Sequence, residues 1–318
     1  MIDVSIVIVC MNNLKNLYPC LESIRRYTTV SYECMVVAYL FSRENLEKVR
    51  KDFPWVKFIE SNEIRGFSEN NNLALRQAKG KYCFVVNDDT EMRMPVIDRL
   101  VEDIEKLPEK VAIVSPVTTF PDGRVQVCGV PPITWYTSLL ELLHLWKRNK
   151  QKKYVNQNGL FKSYNIIGAA FMIKTDVFKK IGWFDEKYFF CPEDIVLSTL
   201  LNEMGYECWV DNDTRIIHYE GMSGKSVSLI QTATKPAARR GTIIWFSKGN
   251  RLVEITLSSV YSLITLILCV CHIVKGLNMQ KPNEFSVLAR AEWNVVKNTY
   301  SGKTPKEIFL GYFTKLRK

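Results

Sequence analysis

The sequence predicts an α/β protein on a doubly wound, mostly parallel sheet, with a helical, basic C-terminal region. Three observations carry this expectation. Strand and helix patterns alternate through the first 115 residues, as in successive βαβ units. The strand runs are nearly continuous in apolar residues, which suits a sheet covered on both faces. The excess of positive charge is confined to the end of the chain. A length of 318 residues fits one large α/β domain, or such a domain with an appendage. Apolar residues make up 47% and charged residues 24%, which excludes disordered, collagenous and low-complexity classes.

The first strand is expected at residues 4–9, an apolar run broken only by Ser5. It is too short for a signal peptide and lacks a basic leader. Asn12-Asn13 offers a cap for a helix whose Leu14, Leu17, Leu21 and Ile24 fall at helical spacing. Strands at 34–39 and 56–60 flank a helix at 43–51. After Arg65-Gly66-Phe67, an Asn-rich stretch runs into a third helix ended by Gly80. A fourth strand covers 82–86. Pro95 then opens a helix with Ile97, Leu100, Val101 and Ile104 inward, and a fifth strand follows at 111–114. Residues 116–163 hold turn signals (Pro121-Asp122-Gly123, Pro131-Pro132), a short helix around 139–146 and a basic stretch at 147–153. Regular structure is expected again at 166–173, then helices at 176–181 and 193–204, then two short strands at 207–210 and 215–218.

Nine cysteines lie scattered without a CxxC pair, which disfavours zinc ribbons and a disulfide framework and suits a reducing, cytosolic setting. The net charge of +10 raises the question of nucleic acid. Residues 225–318 carry 15 Lys and Arg against 4 Asp and Glu, whereas the first 224 carry 28 against 29. A neutral body with a basic end points to an attachment segment and not to a nucleic-acid partner.

In doubly wound sheets ligands bind beyond the carboxyl ends of the strands. Asn87-Asp88-Asp89 follows the fourth strand directly. Two adjacent carboxylates repel, and a bound divalent cation, with its preference for oxygen ligands, is one compensation. The alternative is a surface turn, where Asn and Asp are favoured. Glu193-Asp194 opens a helix, where acidic residues serve as caps and dipole partners. The preceding Phe189-Phe190 supplies an apolar wall that also suits a general base. His218 ends a short strand and precedes a glycine-containing stretch at 219–224. Structural burial and ligation of a metal or phosphate beside a mobile loop are both open to it.

These segments, in order, resemble family 2 glycosyltransferases. The opening 4–13 segment is similar to their first strand. Gly66-Phe67-Ser68-Glu69-Asn70-Asn71-Asn72 is similar to their Gly-Phe-(small)₃-Asn-Asn segment, and Asn87-Asp88-Asp89-Thr90 holds the place of their DxD metal motif. Gly168-Ala169-Ala170, Gly182-Trp183-Phe184-Asp185-Glu186, Glu193-Asp194 and His218 follow. The resemblance covers about residues 4–224 and is nearest the rhamnosyltransferase-like branch of cell-surface polysaccharide synthesis.

The resemblance implies a GT-A-type mixed sheet over residues 1–224, and an inverting transfer from a nucleotide sugar (dTDP-, UDP- or GDP-linked). It implies a saccharide acceptor, lipid-linked in that branch, and a divalent cation, Mg2+ or Mn2+. Asp89 would be the main metal ligand, assisted by Asn87 or Asp88 and approached by His218. Asp194 would deprotonate the acceptor hydroxyl, with Glu193 beside it. Cys10, Met11, Asn12, Arg65, Asn71 and Asp88 would line the donor site, and Trp183 would flank the sugar or acceptor. Two positions depart from the family pattern. Ala38 stands where many members carry a base-reading Asp, and Asn87 takes the first DxD position.

Two other classes compete. A nucleotidyltransferase would carry a Gly-rich, basic phosphate loop after the first strand, and Cys10-Met11-Asn12-Asn13-Leu14 has neither feature. A non-catalytic nucleotide-sugar-binding module is countered by intact Asp89 and Asp194 and kept open by Ala38.

Residues 255–274 form a 20-residue run without formal charge, long enough to span a bilayer. A single span with a cytosolic body would export 275–318, which carries 9 basic and 3 acidic residues, against the positive-inside tendency. Phe285, Leu288, Trp293, Val296 and Tyr300 recur as in an interfacial helix. Residues 225–318 are therefore expected to attach to the cytoplasmic face of the cell membrane, peripherally or monotopically.

Overall fold

The computed structural model describes residues 2–127, 129–147, 154, 157–219, 227–278 and 282–316. The sequence-predicted basic stretch at 147–153, apart from Lys147, and the glycine-containing stretch at 219–224, apart from Tyr219, lie outside the described residues. Two compact units make up the chain. One comprises Met1–Pro132, Lys147–Asp185 and Glu193–Tyr219; the other comprises Ile133–Trp146, Glu186–Pro192 and Glu220–Lys318.

The first unit is built on a ten-stranded mixed sheet in the order β3-β2-β1-β4-β9-β6-β10-β5, with β7 on β6 and β8 on β10. Strands β1 (Val4–Cys10), β2 (Tyr32–Tyr39), β3 (Val56–Ser61) and β4 (Tyr82–Asn87) run parallel. Strand β9 (Ala170–Lys174) enters antiparallel between β4 and β6 (Val111–Thr119). β10 (Glu207–His218) runs parallel to β6, and β5 (Thr90–Met92) lies antiparallel on its end. β7 is Val125–Val127 and β8 is Leu160–Ser163.

Strand periodicity of two sorts the apolar side chains onto the two faces. Ile6, Ile8, Val36 and Phe84 pack with Leu17, Leu21 and Ile24 of α1 (Leu14–Tyr27) and with Leu100 of α4 (Val96–Lys106). Val7, Val37, Val85 and Phe171 pack on the other face with Leu75 of α3 (Phe67–Leu75) and Leu197 and Leu201 of α7 (Glu193–Glu203). Helix α2 spans Arg43–Asp52 and α6 spans Thr175–Lys180. Asn13 caps α1, its Oδ1 accepting from the Asn16 N–H at 3.4 Å. Asn12 takes φ 50°, a left-handed geometry that Asn tolerates.

Several sequence-based boundaries change: the strand expected at 111–114 runs to Thr119, and the regular structure expected at 166–173 is β9, Ala170–Lys174. The two short strands expected at 207–210 and 215–218 are one strand, β10, whose register against β6 shifts between Asp211 and Arg215. The polar run Asp211-Asn212-Asp213-Thr214 is an irregularity within the strand, not a turn between two. The helix expected around 139–146 is α5 (Trp135–Leu142), started by a Thr134 cap.

The second unit is helical: α5, α8 (Gln231–Ser247), α9 (Arg251–Asn278), α10 (Pro282–Lys297) and α11 (Pro305–Leu316). Lys248 and Gly249, both at positive φ, end α8. Asn250 then caps α9, its Oδ1 accepting from the N–H groups of Leu252 (3.0 Å) and Val253 (3.2 Å). α9 turns Leu257, Ser258, Tyr261, Thr265 and Cys269 inward, where all are buried. Tyr261 Oη donates to Ser138 Oγ at 2.9 Å, under the Arg239 guanidinium at 4.7 Å from the ring centroid. Buried Glu292 pairs with Lys235. The opposite face of α9 is apolar and exposed, from Leu252 through Leu263, Ile267, Val270 and Val274 to Leu277.

Candidate active site

The predicted residues gather at the carboxyl edge of the parallel strands, within the sheet unit. Register sets Cys10 beside Ala38, Ala38 beside Glu60, and Val9 beside Asn87. Beyond β1, Asn12 Oδ1 accepts from the Ser42 N–H at 3.1 Å and the Asn45 Nδ2 at 2.9 Å, which ties this loop to the start of α2. Met11 is exposed and Cys10 buried. Next to buried Ala38, the Tyr39 hydroxyl accepts from the Arg65 backbone N–H at 3.3 Å. Arg65 donates to Ser61 Oγ (3.2 Å) and Glu63 Oε2 (2.8 Å).

The three consecutive asparagines do separate work. Asn70 Oδ1 accepts from Ser61 Oγ at 2.7 Å, which fastens α3 to the end of β3. Asn71 is buried, and its Nδ2 donates to the Phe67 carbonyl within its own helix at 3.0 Å. Asn72 clamps the Phe184 backbone at both polar atoms, Nδ2 to the carbonyl (2.9 Å) and Oδ1 from the N–H (3.2 Å). That clamp fixes the loop carrying Trp183. Trp183 takes φ 70° and lays its half-buried indole edge-on against Phe178, with centroids 5.4 Å apart.

Asn87-Asp88-Asp89 forms the turn between β4 and β5. Thr90 Oγ1 donates to the Asn87 carbonyl at 2.9 Å. Burial, helped by the Asp89 charge, raises the Asp88 carboxyl to about 6, although its hydrogen bond with Cys10 works the other way. The Cys10 thiol is itself pushed far up by burial and then by the Asp88 charge. The β5–β10 pairing sets His218 opposite Thr90, and the Tyr219 N–H donates to the Asp89 carbonyl at 2.9 Å. As a result His218 Nε2 lies 3.4 Å from Asp89 Oδ1. Two residues 129 positions apart in sequence thus form one pair.

A cation fits this pair by its donor chemistry. Among the described residues no three His, Cys, Asp or Glu side chains converge into a closed cage. One carboxylate and one imidazole leave the remaining shell to phosphate oxygens and water, the usual way Mg2+ is held beside a substrate phosphate.

Asp194 is reached through the same edge. The Asn87 N–H donates to the Ala169 carbonyl at 2.9 Å, and the neighbouring Gly168 N–H donates to Asp194 Oδ2 at 3.3 Å. Asp194 Oδ1 accepts from the Ile195 N–H at 2.8 Å, and Ser198 Oγ donates to the Asp194 carbonyl at 2.7 Å. The first turn of α7 therefore orients the carboxylate, and its N-terminal N–H groups favour negative charge there. Glu193 precedes it, half-buried. The arrangement offers a place for a cation and a separate oriented carboxylate able to take a proton.

Sequence reasoning did not single out two residues of this site, Asn72 and Gln126. Asn72 was hidden by its two asparagine neighbours. Gln126 sits in the three-residue run Val125-Gln126-Val127, too short for a strand period to register in the sequence.

The family model for glycosyl transferase family 2 matches residues 5–182, more than half of the chain. The O-antigen biosynthesis protein RfbC of Myxococcus xanthus is 28% identical over 159 residues, covering 49% of this chain and 12% of RfbC. The N-acetylglucosaminyl-diphospho-decaprenol L-rhamnosyltransferase of Mycobacterium tuberculosis is 25% identical over 152 residues, covering 45% of this chain and 48% of that enzyme. The match thus spans less than half the length of either relative. Among solved structures, GalNAc-T7 with UDP, GalNAc and Mn2+ aligns at TM-score 0.55 and 19% identity, over 72% of this chain and 46% of that one. The mannosyltransferase PcManGT from Pyrobaculum calidifontis, in complex with GDP-Man and Mn2+, aligns at 0.52 and 16% over 98% and 79%. TarS 1-349 of S. aureus aligns at 0.54 and 16% over 99% and 85%. These structural likenesses establish a GT-A-like fold. With sequence and fold in agreement, the chain belongs to glycosyl transferase family 2.

Proposed function

We propose that this protein is an inverting, cation-dependent glycosyltransferase that moves a sugar from a dTDP-, UDP- or GDP-sugar to a lipid-linked saccharide acceptor in cell-surface polysaccharide synthesis, rhamnose being the favoured sugar. The observation that carries the reading is the backbone link from Asn87 through Ala169 and Gly168 to Asp194, which holds the Asp89–His218 pair and the oriented carboxylate on one edge. The relatives' names support the polysaccharide context and the decaprenol-linked acceptor. The Mn2+ in two structural neighbours supports the cation.

Asp89 and His218 would hold the cation, with Asn87 assisting. When bound, it supplies Lewis-acid stabilisation of the charge on the departing diphosphate, worth several kcal/mol. Asp194 takes the proton of the acceptor hydroxyl as its oxygen bonds to the anomeric carbon. The bond from that carbon to the phosphate oxygen breaks, and the nucleoside diphosphate leaves with the electron pair. General-base help of this kind contributes about 10²–10⁴. Glu193 stands beside the base. Met11, Asn12 and Arg65 line the nucleotide edge, and Asp88 backs it.

The catalytic domain lies within residues 1–224, whose segments Ile133–Trp146 and Glu186–Pro192 belong to the helical unit, and residues 225–318 attach it to the cytoplasmic face of the membrane. α9 is long and apolar enough to cross a bilayer, with an 18-residue window of mean hydropathy 2.2. Ser258, Tyr261 and Thr265 are buried among the other helices of its unit, which leaves the mostly apolar stripe for the lipid. The basic excess of this region suits anionic headgroups. The test is nucleoside diphosphate release from a panel of nucleotide sugars, with and without Mn2+ or Mg2+. A nucleotidyltransferase would instead consume added pyrophosphate and return a nucleoside triphosphate and a sugar 1-phosphate, and a binding module would release nothing.

A further inference from the structure

We propose that Gln126 is a positioning residue that locks the ring and the tautomer of His218, so that Nε2 presents its lone pair to Asp89. The inference rests on the reading of His218 as a cation ligand. Its structural half, the locked tautomer, stands on hydrogen-bond geometry alone.

Gln126 lies on β7, which pairs with β6, the strand that also pairs with the His218 end of β10. Its side chain meets His218 twice. Gln126 Nε2 donates to the His218 backbone carbonyl at 2.6 Å. Gln126 Oε1 lies 3.0 Å from His218 Nδ1. A carbonyl can only accept, so the amide nitrogen must face it, and this fixes which end of the amide faces the ring. The amide oxygen can also only accept, so His218 Nδ1 must carry the hydrogen. In the neutral ring Nε2 is then the acceptor atom.

That atom faces Asp89 Oδ1 at 3.4 Å. Two lone-pair atoms at this separation repel unless a positive charge lies between them, and a divalent cation supplies it. Metal-bound histidines generally donate their second ring N–H to an oxygen that fixes tautomer and plane, and loss of that partner costs about 10–100-fold in metal affinity. Gln126 fills this place with an amide that also grips the backbone of the residue it orients. The amide oxygen therefore stays in place when the ring swings, and it cannot follow the ring without breaking the hydrogen bond to the backbone carbonyl.

The test uses the full-length protein with ¹⁵N-labelled histidine, the His218 signals being assigned by comparison with His218→Gln. In the metal-free wild type above about pH 8, the imidazole nitrogens should report the Nδ1–H tautomer at His218. Gln126→Leu should shift the population toward Nε2–H, the form that free imidazole side chains prefer. Gln126→Glu retains an acceptor for Nδ1–H and should keep the wild-type tautomer. In parallel, Mn2+ binding is followed by electron paramagnetic resonance, alone and with UDP, GDP or dTDP. The affinity should fall about tenfold or more in Gln126→Leu. An Nε2–H tautomer in the wild type, or an unchanged tautomer in Gln126→Leu, would overturn the positioning role. Should Gln126→Leu fail to fold, loss of Nδ1–H in Gln126→Glu would overturn it equally. A locked tautomer in a wild-type protein that binds no Mn2+ under any of these conditions would uphold the orientation by Gln126 and refute the cation-site reading.

Discussion

The backbone N–H of Gly168 donates to Asp194 Oδ2 at 3.3 Å, and a methyl group added to Gly168 would stand 3.5 Å from the Asp194 Cβ. The helix terminus that carries the carboxylate is thus tied to the segment leading into β9. Because the adjacent Ala169 carbonyl accepts from Asn87, a displacement of the metal-motif turn is felt at the proposed base through the two residues Gly168 and Ala169.

Asp89→Ala should weaken Mn2+-dependent binding of nucleoside diphosphate by at least about tenfold, since it removes one of two side chains placed to hold the ion. Calorimetry with UDP, GDP and dTDP, each with and without Mn2+, measures this. Unchanged metal-dependent affinity would return Asn87-Asp88-Asp89 to the role of a structural turn.

A second carboxylate pair, away from the site, governs a pH response. Asp103 on α4 is raised to about 7, first by burial and then by the Asp211 carboxylate on β10. The folded protein therefore keeps a proton that the unfolded chain releases near 3.8. The folded state binds more protons through this window, so stability falls as pH rises from about 4 to about 7 and stays low above it. Asp103→Asn should flatten that fall, leaving the variant more heat-resistant than the wild type at about pH 8. Melting temperatures across the range test it; parallel curves for the two proteins would contradict it.

On α9, Leu263 and Ile267 are exposed at 62% and 54% on the apolar stripe. Replacing both with Glu removes about 1.5–3 kcal/mol of apolar burial each from any lipid-bound state. Binding to anionic lipid vesicles should fall by more than about tenfold, while the thermal transition stays near that of the wild type. Equal vesicle binding would contradict attachment through this face. Protease cleavage near Lys315 from outside sealed cells would show a true span and overturn the monotopic arrangement.

Much of this molecule was legible in its sequence, for physical reasons that also mark the limits. The runs that became β1, β2 and β4 are continuous apolar strands of a doubly covered sheet, and helical spacing of Leu17, Leu21 and Ile24 set the inner face of α1. β5 and β7 have three residues each, too short for a period to register, yet they place the Asp89–His218–Gln126 constellation. The irregularity between Asp211 and Arg215 read as a turn because four polar residues in a row look alike in either setting. The motif residues Asp89 and Asp194 were recognisable by type and order. Gln126 was not, because its partner lies 92 positions away and only pairing through β6 brings the two together.

The central claim is that Asp194 is the base of a transfer reaction. Donor affinity and turnover measured side by side for Asp194→Asn test it most directly. The amide is nearly isosteric and its single oxygen can keep one of the two backbone contacts, that from the Ile195 N–H at 2.8 Å, but it cannot take the acceptor's proton. Nucleotide-sugar affinity should stay within about threefold of the wild type while turnover falls by about 10²–10⁴. Turnover near the wild-type rate would contradict the account and shift the role of base to Glu193.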